Sequence, residues 1–294
     1  MNRLPSYLFL ALATLFWGGT QVVAKFGLRE VSPLTLATWR FLVAGAVLVL
    51  LVRLSGGSLR YRAADWRDFA LLGLTGVFGF NLFLFSGLHF TSASESALML
   101  AASPVVGGIL GWQFRGERLG PVRVGGILLS VAGLAAVVLA GRPLPGTPPA
   151  QRLVGDLLAL GATCCWAVYT LLGKEVMRRH SPLVATAMAA VTGFAGFLAV
   201  SLLPGVHVWR DGLGMSAAGW ASVLYMAILG GAAGFWAWYR GLEGVEVTTA
   251  STFQNLIPVW TLLLGSLILG ERLTWLQLLG GLGVVIGCIV TARG

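Results

Sequence analysis

The sequence predicts an all-α polytopic membrane protein of ten transmembrane helices, arranged as two inverted five-helix repeats. Three observations lead there. Of the 294 residues, 57% are hydrophobic and only 11% are charged, against about 25% charged in a soluble domain. Apolar stretches of about 20 residues, the length that crosses a bilayer, recur along the whole chain. The two halves also repeat one another in order.

Reading on that template gives spans near 5–27, 32–54, 67–88, 92–114 and 121–141, then 155–178, 182–203, 216–239, 248–269 and 274–291. The first opens on Met1-Asn2-Arg3 and runs apolar from Tyr7 without a small-residue cleavage site. It reads as a retained span and not as a cleaved signal peptide. Turns as short as Glu30-Val31-Ser32-Pro33 make successive helices antiparallel neighbours. Arg142-Pro143-Leu144-Pro145-Gly146-Thr147-Pro148-Pro149 resists helix formation, because proline lacks the N–H and clashes with the preceding turn. The expected organisation is a first unit over 1–141, a linker over 142–154 and a second unit over 155–294.

The net charge of +9 does not point to nucleic acid. No basic helix is present and no basic run exceeds two residues, so Lys and Arg read as loop residues that set orientation and meet anionic lipid. With a cytoplasmic N-terminus, the inner segments hold 13 of them: Arg3, Arg53, Arg60, Arg62, Arg67, Arg115, Arg118, Arg123, Lys174, Arg178, Arg179, Arg240 and Arg293. The outer loops hold 6, namely Lys25, Arg29, Arg142, Arg152, Arg210 and Arg272. The expectation is a plasma (inner) membrane protein with both termini cytoplasmic. Cys164, Cys165 and Cys288 lie in apolar stretches without metal-site spacing, and read as small core residues.

A shift of 149 brings Trp17 onto Trp166, Lys25 onto Lys174 and Ser32-Pro33-Leu34 onto Ser181-Pro182-Leu183. A shift of 154 then brings Gly76 onto Gly230, Gly87-Leu88 onto Gly241-Leu242 and Pro104-Val105 onto Pro258-Val259. It also brings Gly116-Glu117-Arg118-Leu119 onto the identical Gly270-Glu271-Arg272-Leu273. Five spans is an odd number, so the second unit enters the membrane in the opposite sense. Inverted repeats typify secondary transporters, in which two similar halves exchange conformations and open a central site to alternate sides.

Phe16-Trp17-Gly18-Gly19-Thr20-Gln21-Val22-Val23-Ala24-Lys25 resembles the first-span signature of the EamA-type branch of the drug/metabolite transporter superfamily, and Trp39-Arg40-Phe41 resembles the opening of its second span. Phe90-Thr91-Ser92-Ala93-Ser94, Ser103-Pro104 and Gly116-Glu117-Arg118-Leu119 resemble its later signatures. Val247-Thr248-Thr249-Ala250-Ser251, Pro258 and Gly270-Glu271-Arg272-Leu273 repeat that pattern. The resemblance implies ten helices, cytoplasmic termini and export or exchange of small metabolites. It also implies a cavity lined by the first, third, fourth, sixth, eighth and ninth spans. The related four-span multidrug proteins use a first-span glutamate; this first span has no carboxylate.

Candidate substrate-binding residues follow from mid-span polarity and aromaticity. Trp17 and Gln21 share a helix face, with Trp166, Tyr169 and Thr170 at or beside the repeat-equivalent positions. Each tryptophan is positioned either to stack on a solute or to pack the core. Asn81 and Phe85 share a face of the third span, matched by Phe235 and Tyr239 in the eighth. Asn81 must bond another helix, water or solute, and Gln254 and Asn255 in the ninth span pose the same question. Met99 in the fourth span completes the set. Pro104 and Pro258 are candidate hinges, each expected to free the carbonyl four residues earlier.

Among charges, Glu95 is the candidate for proton coupling. Arg40 is expected to snorkel or to bond backbone carbonyls. Lys25 and Lys174 suit helix C-termini, and the Glu117–Arg118 and Glu271–Arg272 pairs read as interface anchors. Trp112, Trp220 and Trp275 fit interfacial belts.

The expected function is secondary active transport of small metabolites such as amino acids by alternating access, with export of amphipathic drugs or amines as the alternative. An uncharged interior of Trp, Tyr, Asn and Gln suits neutral or zwitterionic solutes. A membrane enzyme would need converging nucleophile, base or metal ligands; His89, His180 and His207 all lie near span ends or in loops. No Walker motif is present, so neither ATP nor any other cofactor is expected. The expected partners are a small-molecule substrate, coupling protons and the lipid bilayer.

Overall fold

Backbone inside hydrocarbon has to satisfy its own hydrogen bonds, and helices do so within one segment. The computed structural model describes residues 4–57, 61–115, 120–140, 148–242, 253–254 and 256–293. Among them all regular structure is helical. The first helices are α1 (Leu4–Gly27), α2 (Pro33–Leu54) and α3, a continuous helix of Ala63–Leu72, a π-helical stretch Gly73–Gly79 and Phe80–Phe90. There follow α4 (Ala93–Leu100), α5 (Ser103–Arg115), α6 (Pro121–Ala140), α7 (Pro149–Val176), α8 (Pro182–Ser201) and the short α9 (Val208–Leu213). Next is α10, again three stretches in one helix: Ala217–Leu224, the π-helical Tyr225–Ala233 and Gly234–Leu242. The last two are α11 (Leu256–Leu269) and α12 (Trp275–Arg293).

Among the described residues, seven segments are long and apolar enough to cross a membrane, and Val124–Ala140, Leu256–Leu269 and Trp275–Gly287 are shorter apolar helices. Large apolar side chains cover the outside of the bundle, with Leu139 83% and Leu267 80% exposed. Such a surface fits lipid and not water. The chain is a polytopic membrane protein.

The helix starts are built from local chemistry. Ser32 accepts from Thr35 N with Pro33 at the first helical position of α2, and Ser181 accepts from Val184 N with Pro182 at the same place in α8. This is a favourable N-terminus, because the proline lacks an N–H that would be unpaired anyway. The interior is closed by small residues. A Cβ on Gly133 of α6 would stand 2.5 Å from the Gly280 carbonyl oxygen of α12. One on Gly87 of α3 would stand 2.9 Å from the Gly155 carbonyl oxygen of α7. Between α2 and α8 the rings of Phe41 and Phe197 stack at 5.9 Å, within a core that also buries Val22, Leu36, Phe69, Phe85 and Met226.

Three expectations change. Residues 149–154, read as linker, are the first turns of α7, because Pro149 occupies the first helical position, where proline is tolerated. The fourth span is interrupted more than a simple kink would require: α4 and α5 meet through a turn at Ala101-Ala102 inside one span-length segment, Ala93–Leu110. Pro104 accordingly lies in the first turn of a new helix, as Pro258 does in α11. The missing proline N–H is accommodated by starting the helix anew.

Candidate functional site

Both π-helical stretches lie next to candidate residues. A π-turn widens the helix and leaves carbonyls available to neighbours, which is why such stretches gather at functional sites. In α10 the Gly230 carbonyl accepts from Trp17 Nε1 at 3.0 Å. The Trp17 ring packs against Phe235 at 5.5 Å and Trp238 at 5.3 Å. In α3, Gly76 faces the Tyr169 ring so closely that no Cβ fits. Trp166 packs between Tyr169 and Phe80, 5.1 Å from each. The structure thus joins Trp17 to Phe235 and Trp166 to Tyr169, in two groups that each flank a π stretch.

Asn81 is buried, donating to Val77 O at 2.8 Å and accepting from Arg40 NH1 at 2.8 Å. The Arg40 guanidinium lies 5.0 Å from the Phe41 ring centre and 5.6 Å from that of Phe85. Among the described residues its Nε has no hydrogen-bond partner. Arg40 was expected to snorkel or bond backbone carbonyls; it bonds the Asn81 amide and two ring faces, which supply acceptor density inside the bundle. Gln21 is buried, and its Oε1 has no partner among the described residues. Met99 is fully buried, and its carbonyl, close to the α4–α5 break, accepts from the Thr163 hydroxyl at 3.2 Å. Gln254 is exposed and does not join these groups. Asn255 and the side chains of Tyr239, Pro104 and Lys174 lie outside the described residues.

The bundle has a near face, where α1 starts, and a far face, where α1 ends. A buried charged cluster occupies the far face. Glu271 caps α4, accepting from Ala93 N at 2.8 Å and Ser94 N at 3.0 Å. It is therefore no interface anchor: two unpaired N–H groups at a helix start attract a carboxylate more strongly than the surface does. Lys25 donates to the carbonyls of Leu88 and Thr91, so it closes the end of α3 and not that of its own helix.

Glu95, 2% exposed, receives Gln277 Nε2 at 2.5 Å and Arg152 NH2 at 3.3 Å on Oε1. Its Oε2 lies 2.7 Å from the Thr91 hydroxyl, which is also 2.7 Å from Oδ1 of Asp156. Asp156 is 1% exposed, and its Oδ2 is 3.2 Å from Arg152 NH2. Arg152 NH2 also donates to Val138 O of α6 at 2.7 Å. Thr91, Arg152, Asp156 and Gln277 were not singled out from sequence. The available signal was Arg152 and Asp156 four apart, one helical turn, hidden by reading 142–154 as linker.

On the near face, Arg179 pairs with Asp68 and, at 3.4 Å, with Asp65, and His180 Nε2 lies 3.0 Å from Asp65. The hydrogen bond from Arg179 to Asp68 strengthens the hold of the guanidinium on its proton. On the far face Glu30 receives Ser216 N at 2.7 Å and the Ser216 hydroxyl at 2.6 Å, which hold its carboxyl below the usual range. Trp220, expected in an interfacial belt, packs against Trp39 at 5.0 Å. Trp112 and Trp275 are exposed.

Comparison with known proteins places this architecture. The chain is 28% identical over 298 residues to the uncharacterized transporter YyaM of Bacillus subtilis, covering 100% of this chain and 95% of the relative. It is 30% identical over 304 residues to a probable amino-acid metabolite efflux pump of Salmonella typhimurium, covering 100% and 96%. A crystal structure at 24% identity has the same fold, with a TM-score of 0.66 over 99% of this chain and 98% of the other. The model of the EamA-like transporter family matches residues 4–139 and again 153–293. The chain belongs to the EamA-like transporter family, whose members are transporters and not enzymes.

Proposed function

We propose that the protein is a secondary active exporter of small metabolites, amino acids or close relatives, working by alternating access between two inverted five-helix repeats. The observation that carries this is the recurrence of one arrangement in both halves. A π-helical stretch around Gly76 in one half and Gly230 in the other meets an aromatic-bearing helix from the opposite half. Residues 20 and 169, which meet those two glycines, are related by the repeat shift of 149. The matched N-caps at Ser32 and Ser181, and the two helix starts at Pro104 and Pro258, support the same reading. The family model, matching twice, supports units close to 1–141 and 155–294.

The solute class follows from the interior groups, which are indole, phenol and amide, joined by the half-buried guanidinium of Arg40. An amino acid offers an apolar side chain to the rings and a carboxylate to Arg40. The efflux-pump relative, named for amino-acid metabolites, supports this class. Orientation is proposed from loop charge, with the near face cytoplasmic, in the plasma membrane. Protons are the proposed coupling ion, with Glu95 the first candidate.

The test is uptake of labelled amino acids and amphipathic amines into proteoliposomes, with and without a pH gradient. The expected result is saturable amino-acid flux driven by the gradient and lost in Trp17→Ala. Flux of amines alone would move the assignment to amphipathic cations, and no flux from folded protein would overturn it.

A further inference from the structure

The far-face cluster carries more hydrogen-bond acceptors than its protons can serve. We infer that Glu95 and Asp156, bridged by the Thr91 hydroxyl, form a two-carboxyl site that holds one exchangeable proton. Its existence rests on geometry alone; its role as the coupling site rests on the transport reading above.

A threonine hydroxyl has one proton to donate. Thr91 Oγ1 nevertheless lies 2.7 Å from a carboxyl oxygen of each acid. It can donate to one, and the other contact is attractive only if that carboxyl carries a proton and donates back. The neighbours decide which. Gln277 Oε1 accepts from Thr274 N at 2.8 Å in a capping arrangement at the start of α12. The amide nitrogen is therefore the end that meets Glu95, so Glu95 Oε1 already receives Gln277 and Arg152. Glu95 is the ionised partner and takes the Thr91 proton on Oε2. Asp156 carries the proton on Oδ1 and gives it to Thr91. Its Oδ2 has the ion-pair contact with Arg152 NH2 at 3.2 Å, but among the described residues neither that oxygen nor Arg152 Nε has a hydrogen-bond partner. Two full charges on the acids would leave Asp156 under-satisfied, and a buried charge in that condition is costly.

Charge balance agrees. Among the described residues, the groups that face the pair are Lys25 from α1, Arg152 from α7, Glu271 from the turn before α12, and the neutral Gln277. Arg29, His89 and Arg272 nearby in sequence are exposed. Three carboxyls against two cations leave one negative charge inside, and one proton cancels it. Release breaks the Asp156 O–H bond, the electron pair stays on the carboxylate and the proton leaves to water. Arg152 is then shared by two anions.

The experiment is infrared difference spectroscopy of the full-length protein in lipid, following the carboxylic-acid C=O band across a pH series. Wild type is expected to carry one buried carboxylic acid at neutral pH that disappears as pH rises. Asp156→Asn loses the band, because Glu95 alone is ionised by its donors. Glu95→Gln loses it too, because Asp156 then has Arg152 to itself. Glu30→Gln, remote from the cluster, keeps it. Tryptophan fluorescence melts identify variants that remain folded, and only those are scored. Absence of the band in wild type, or its persistence in either variant, overturns the one-proton pair. Solute flux is read separately: a protein that keeps the band yet moves no solute overturns the transport reading and leaves the proton site standing.

Discussion

The two faces of the bundle use the same residue types to opposite ends. On the near face Asp65, Asp68, Arg179 and His180 pair where solvent reaches Arg179, 45% exposed at its side chain. On the far face Glu95, Asp156 and Arg152 pair at 3%, 1% and 10%. In water an ion pair contributes little, because solvent and salt compete for both partners. Inside the bundle the same charges depend on one another, and every donor matters. The near face is a solvated contact between α3 and the end of α7, and the far face is a closed electrostatic unit drawn from α1, α4, α7 and α12.

That contrast can be broken by mutation. The largest effect is expected from Arg152→Met, which leaves Glu95 and Asp156 buried without their cation. It should cost about 3–5 kcal/mol, measured by reversible unfolding of the detergent-solubilised protein. Gln277→Leu removes one donor to a buried carboxylate and should cost about 1–3 kcal/mol in the same assay. Arg179→Ala should leave the melting temperature within experimental scatter. Raising the salt concentration should erase any residual difference, because exposed charges are screened and buried ones are not. An Arg179 effect as large as that of Arg152 would refute the distinction between the faces.

The smallest effect concerns pH. The Ser216 hydroxyl and amide hold the Glu30 carboxyl below its ordinary range. A carboxyl whose folded value is depressed stabilises above its unfolded value, near 4.3 for glutamate. That contribution fades as pH falls through the lower folded value. Melting temperatures of wild type and Glu30→Gln should therefore differ slightly at neutral pH and converge in acid. A gap that widens in acid would reverse the sign of the linkage.

Legibility in the sequence followed period and composition. Helix-length apolar runs marked the spans, and Ser-Pro pairs marked the starts of α2 and α8, because both signals are local. The repeat was visible because Trp17, Trp166, Gly76 and Gly230 are rare or structurally demanding residue types. The far-face cluster was nearly invisible. Its members come from five parts of the chain, and Arg152 stands in a segment whose prolines masked the helix beyond them. Glu271 looked like a surface residue because its partners are backbone N–H groups of another helix, which leave no mark in sequence.

The sequence by itself determined that this chain lives in a bilayer, that it is helical and that its halves resemble each other. Those properties depend on how much apolar surface each segment carries and on how often it recurs. The tertiary structure alone decided which polar groups meet. Whether Arg40 finds a carbonyl or Asn81, and whether Glu95 stands alone or shares Thr91 with Asp156, depends on helices packed within a few ångströms of one another. Hydrogen bonds and charges act over that distance, and residue order along the chain does not encode it.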